Sequence, residues 1–267
     1  MTRTRKLAEL RATQLAELLG PASVLLQPIA AVEQHGPHLP LSTDLLFCEA
    51  AATDVVERHG EELDLWLLPS LAYGKSTEHE WSPGTVSLST ATLLAVLDDL
   101  GRSLSRLATK RLVFVNSHGG NVALLGVALR DLRQKYGLMT FLLNVLAPPA
   151  YSPSAGAGSG SGEREVGLGI HAGRDETSLM LHLRPDLVEM SAVAGYVPSE
   201  LGGLEHVRFG GDTSFGWLSD DLSGCGVIGD PSGASAERGA ALFRSMTERL
   251  AASLAEVGRF GFDAPRS

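Results

Sequence analysis

From Ser23 to Val32 the chain carries no charged side chain, and polar residues begin abruptly at Glu33. A short run of that kind suits a strand buried on both faces of a sheet, because a strand with one wet face would alternate apolar and polar residues. Similar runs at 65–71, 112–116 and 139–146 are separated by stretches of helical spacing at 45–58, 90–107 and 122–136. Alternating strands and helices require crossover connections. The expected fold is therefore α/β, a three-layer α/β/α sandwich around a mostly parallel sheet. Leu7, Leu10, Leu15, Leu18 and Leu19 predict a leading amphipathic helix over 5–19, ended by Gly20-Pro21. Helical patterns recur at 176–183 and 237–256, with a Gly- and turn-rich stretch at 191–228 between them. No linker divides the chain, so residues 1–267 are expected to form a single domain. Residues 148–169, dominated by Pro, Ala, Gly and Ser, run straight to His171, and the expectation is a flexible flap over a site.

Charge narrows the partners. The 22 Lys and Arg against 31 Asp and Glu give a formal net charge of −9, which argues against nucleic acid or an anionic membrane as the main partner. No apolar run reaches the length of a membrane span, and no apolar h-region follows the basic start. Cys48 and Cys225 stand far apart without CxxC spacing. Neither a disulfide framework nor a cysteine zinc knuckle is expected, and a reducing cytoplasm is the simplest compartment.

The eight histidines of this acidic chain are the feature that carries chemistry. In an extended segment Glu33 and His35 project to the same side, beyond a strand end where open α/β sheets bind ligands. Pro37 and Pro40 stiffen the turn that brings Asp44 back, although Asp44 could instead cap the helix that follows. Three hard or borderline ligands within twelve residues favour a metal site. After the third apolar run, Asn116-Ser117-His118-Gly119-Gly120-Asn121 brings His118 to the same sheet edge; a glycine turn with Asn121 capping the next helix, or an anion nest, is the bland reading, and beside the first cluster a third metal-binding element is the more economical one. His171 and Glu176 lie too far apart for the face of an HExxH helix. They could supply a proton shuttle and a further ligand, or Glu176 could simply complement a helix dipole. The loop from Tyr73 to Thr85 offers Ser76, Glu78, His79 and Trp81 as a substrate wall, with Asn121 as a further contact, or is simply a turn-rich loop between strand and helix. No Gly-x-Ser-x-Gly elbow occurs and neither cysteine has a basic neighbour, so Ser or Cys nucleophilic catalysis is disfavoured.

Taken in order, EQHGPHLPLSTD, YGKSTEHEWSPGT, SHGGN and HAGRDETS closely resemble the creatininase family of metal-dependent amidohydrolases, over residues 24–187 with an echo at 227–235. The resemblance implies an α/β sandwich and a homo-oligomer, commonly a hexamer. It also implies a centre of two divalent ions bound by Glu33, His35, Asp44 and His118, with Asp44 as the bridge, Glu176 completing the second ion's shell and His171 transferring a proton. Zinc, manganese or iron suits such donors. Two cations sharing a carboxylate can bring the pKa of a water down towards about 7. The implied reaction is hydrolysis of an amide, cyclic amide or formamide C–N bond, and the implied partner is a small amide or a short peptide.

Two departures bear on the substrate. Creatininases carry Glu two residues beyond the histidine matching His118, where this chain has Gly120, and they place tryptophans near the flap, where residues 139–170 have none. The HGGN and HAG-x-x-ETS forms look more like the relatives that trim the mycofactocin precursor peptide or deformylate a formamidopyrimidine. A family member that binds metal or a metabolite without turnover is the reading from another class.

Overall fold

The computed structural model describes residues 4–146 and 167–262; most of the segment expected to form a flap lies outside them. Four strands, β1 (Val24–Ile29), β2 (Leu65–Leu67), β3 (Arg111–Asn116) and β4 (Met139–Asn144), form one parallel sheet in the order β2-β1-β3-β4. Successive side chains of the central strands serve opposite layers. Val24, Leu26, Val113 and Val115 enter one buried cluster, and Leu25, Ile29, Leu112 and Phe114 enter the other. The first is covered by α2 (Thr43–His59), α5 (Arg174–Leu183) and α7 (Ala236–Arg259). The second is covered by α1 (Ala12–Leu18), α3 (Thr90–Leu104) and α4 (Val122–Tyr136). With both faces dry, each fully buried Val, Leu or Phe contributes about 1.5–3 kcal/mol, which is why β1 tolerates no charge. The expected three-layer arrangement is the one found.

Proline in a central strand is unusual, and β1 holds Pro28. Its carbonyl accepts from Leu71 N at 2.9 Å. The missing N–H faces the same side, past the end of β2, so the ladder to β3 loses nothing. On that side β2 stops at Leu67 rather than at the expected 71; beyond it the Leu68 and Leu71 amides bond back to β1, and the Pro69 carbonyl accepts from the Gln27 side chain at 2.8 Å.

The leading helix is broken. A 3-10 turn at Leu7–Glu9 and α1 replace the continuous helix expected over 5–19. Residues 5 and 6 are instead extended along β2, with Leu67 N bonded to Arg5 O at 2.9 Å and the Arg5 guanidinium 2.8 Å from Asp64 and over the Trp66 ring. Covering an exposed sheet edge outweighs helix propensity there. Between α5 and α7 regular structure is sparse, with only 3-10 turns and α6 (Ser219–Leu222) among the described residues.

Candidate metal centre

The loop after β1 buries both Glu33 and His35. Gly36, at φ 69°, turns the chain back, and a side chain there would run into Val227. The return places Asp44 in the first turn of α2, buried and facing inward. The N-cap is Ser42, so Asp44 is not the cap. His118 follows β3, and Glu176 lies in the first turn of α5. His171 is pinned by paired backbone hydrogen bonds to Ile228, 3.1 and 2.9 Å, so the 227–235 segment holds that imidazole in place.

Two donor sets result, and they share Asp44. Asp44 Oδ1 lies 3.5 Å from His35 Nε2, which lies 4.0 Å from Glu176 Oε2. Asp44 Oδ2 lies 3.2 Å from His118 Nδ1, which lies 3.3 Å from Glu33 Oε1. Ligand atoms about 2.1 Å from one tetrahedral ion stand about 3.4 Å apart, so these spacings suit a cation between the groups. His35 Nε2 and Asp44 Oδ2 are buried without a hydrogen-bond partner among the described residues, a cost of about 1–3 kcal/mol per group that an ion would relieve. The residues present, with Glu33, His35 and Asp44 close enough to share one ion, fit divalent-metal binding.

The far nitrogen of each ring decides which nitrogen faces the centre. His35 Nδ1 lies 3.2 Å from the Glu33 carbonyl oxygen, His118 Nε2 2.9 Å from that of Lys75, and His171 Nε2 2.7 Å from that of Gln34. A carbonyl only accepts, so each of these nitrogens carries hydrogen and the opposite nitrogen turns to the carboxylates. Burial works against a charged His35, but the adjacent Asp44 carboxylate, with Glu176 and Glu33, holds its pKa up at about 9. His118 is raised well above its ordinary value, against burial, by Glu33, Asp44 and Glu78. Burial, with the charges of His35 and His79, pushes His171 well below it. Its Nδ1 is left as an uncharged acceptor 3.7 Å from Glu33 Oε1. Burial, partly offset by His35 and reinforced by Asp44, lifts Glu176 to about 7. Its Oε2 accepts from the Ala172 amide at 2.6 Å. Ala172 is held left-handed at φ 54° to aim that N–H, a strain of about 1–2 kcal/mol.

Two residues expected to meet substrate are buried in the fold. Ser76 is fully buried and donates its hydroxyl to Glu33 Oε2. Asn121 is fully buried, its amide bonded to Ala30 O, Asn116 Oδ1 and Lys75 N; it ties three loops together and makes no capping bond to α4. Their polar atoms are engaged inside the protein. Glu78 Oε1 stands 3.4 Å from His118 Nε2, and His79 stacks on His171 at 4.0 Å with Nε2 3.6 Å from Glu33 Oε1. Trp81 sits 41% exposed, its indole N–H donating to Ser219 Oγ at 2.6 Å. His38 bonds Thr177 Oγ1 at 2.9 Å, and burial, with His35 nearby, lowers its pKa to about 4.

Sequence reasoning missed Gln34 and Ser219. Gln34 Oε1 accepts from Gly36 N at 2.9 Å, so its amide nitrogen donates to Gly226 O at 3.0 Å and His79 Nδ1 at 2.8 Å. Its place between Glu33 and His35 was the available signal. Ser219, bonded to Glu78 O at 2.9 Å, sits in a turn-rich stretch that offers none.

A family model described as "Creatininase: Creatinine amidohydrolase" matches residues 8–254. A mycofactocin precursor peptide peptidase of Mycolicibacterium smegmatis is 37% identical over 231 residues, covering 85% of this chain and 83% of that protein. A creatinine amidohydrolase of Pseudomonas putida is 36% identical over 187 residues, covering 66% of this chain and 70% of that protein. A solved structure described as "Creatininase Mn" is similar with a TM-score of 0.71 at 27% identity, over 95% of this chain and 98% of that one.

Proposed function

Because the chain belongs to the creatininase family and is a hydrolase acting on C–N bonds, we propose that it cleaves an amide bond in a short peptide of the mycofactocin-precursor kind, using two divalent ions. The observation that carries this reading is Asp44, whose two oxygens face two separate donor sets. His35 and Glu176 complete one set, and Glu33 and His118 the other. Zinc, manganese or iron matches these donors. When bound, such ions supply an activated water and stabilise charge developing on a carbonyl oxygen.

The chain's own residues supply the rest. His171, anchored through Nε2, presents Nδ1 to take up a proton and pass it to the leaving nitrogen. His79, set by Gln34, and Trp81 line the approach. A peptide is favoured over creatinine because the peptidase relative matches a larger share of the chain than the creatinine amidohydrolase does. The same reading takes the chain as one domain that works as a homo-oligomer, a hexamer by family resemblance, in the cytoplasm. No helix among the described residues is long and apolar enough to cross a membrane.

The test is metal analysis joined to a hydrolysis screen over a mycofactocin precursor peptide, creatinine and a formamidopyrimidine. His35→Ala and His118→Ala should each lose the ion on their own side, and hydrolysis with it. Full activity in metal-stripped protein would sink the reading, and metal content without turnover on any substrate would favour a binding protein.

A further inference from the structure

We infer that Glu78 is a positioning residue for His118, and that position 120 is glycine so that Glu78 can reach the ring; this rests on the metal centre proposed above. Gly120 is not among the glycines of positive φ, so backbone conformation does not call for it. Space does. A Cβ at 120 would overlap Glu78 Oε1 and the Lys75 carbonyl oxygen and lie 2.5 Å from His118 Nε2.

The segment that delivers Glu78 is held on three sides. Lys75 N donates to Asn121 Oδ1 at 2.9 Å, Ser76 N to Ser87 Oγ at 3.0 Å, and the Glu78 carbonyl accepts from Ser219 Oγ at 2.9 Å. From it the Lys75 carbonyl and Glu78 Oε1 reach His118 Nε2 at 2.9 and 3.4 Å, while Ser76 and His79 reach Glu33. All of these contacts fall on the Glu33–His118 set. The other set is supported from elsewhere, by the Glu33 carbonyl behind His35 and the Ala172 amide on Glu176. A carboxylate on the protonated side of an imidazole makes its opposite nitrogen a stronger donor to a cation, and removing such a partner costs about 10–100-fold in metal affinity. Glu78 therefore tunes one ion of the pair and leaves the other alone.

The experiment titrates metal-stripped full-length protein with Zn2+ against a chromophoric chelator. Wild type should show two binding steps. Glu78→Gln keeps the side chain's size and should weaken one step about 10–100-fold with the other unchanged, in a metal-free protein that still unfolds in one cooperative transition. Glu78→Asp should recover part of the loss, and Gly120→Ala should weaken the same step with Glu78 intact. Wild-type affinity in Glu78→Gln overturns the inference, as does equal weakening of both steps. A wild type that takes up no Zn2+ overturns the metal centre itself, which keeps the two failures apart.

Discussion

Asp44 Oδ2 stands 3.2 Å from His118 Nδ1 while the other oxygen of the same carboxylate faces His35. One side chain thus belongs to both donor sets, and its loss is felt by both. Asp44→Asn keeps the size and removes the charge. It should take bound metal from two ions towards none and abolish hydrolysis with them, whereas His35→Ala should spare the ion on the His118 side. Metal content after dialysis and kcat/KM measure this, and an Asp44→Asn protein that keeps two ions would refute a shared carboxylate.

Stability of the metal-free protein should fall as pH rises from about 6.5 to 9. His35 is held up at about 9 against an ordinary 6.5, so the stability it contributes is complete below about 6.5 and is lost as pH climbs through 9. Glu176, lifted to about 7 from 4.5, acts in the same direction over a lower window. Metal displaces the proton on His35, so metal affinity should rise over the same range. Thermal unfolding at pH 6.5 and 9, with and without a chelator, tests both; a metal-free melting temperature that does not fall contradicts them.

His171→Ala removes the proton acceptor but none of the atoms shared by the two donor sets. The expected outcome is a kcat lower by about 10²–10⁴-fold with metal content preserved. Loss of metal along with activity would make His171 a ligand instead.

Trp81, 41% exposed, is open enough to meet a substrate. Trp81→Ala should raise KM with little change in kcat, the pattern of lost uniform binding. A kcat loss at unchanged KM would place it in the chemistry.

The parts of this site legible in the sequence were those signalled by local contrast. Glu33 and His35 stand out because charge returns abruptly after β1, and His118 because an imidazole sits in a turn of small residues. Asn121 and Ser76 have the same polar character, yet the structure spends them on loop-to-loop hydrogen bonds. Only the position of other loops decides that use. Ser219 reaches His79 from 140 residues away, a pairing that no spacing rule encodes. The broken leading helix has a similar cause: its leucines keep helical spacing, but an unpaired edge of β2 claims residues 5 and 6.

Cys48 and Cys225 are free, and the loops that meet around Asp44 come from distant parts of the chain; Gln34 and His171 alone are 137 residues apart. Tying ends so far apart removes about 4–5 kcal/mol of entropy from an unfolded chain when a disulfide does it. An ion shared by His35, Asp44 and Glu176 would be a staple of the same reach, but a reversible one. At a free-ion concentration 100 times its dissociation constant it would add about 2.7 kcal/mol. Metal supply would then govern how long each molecule survives proteolysis, as well as how fast it turns over.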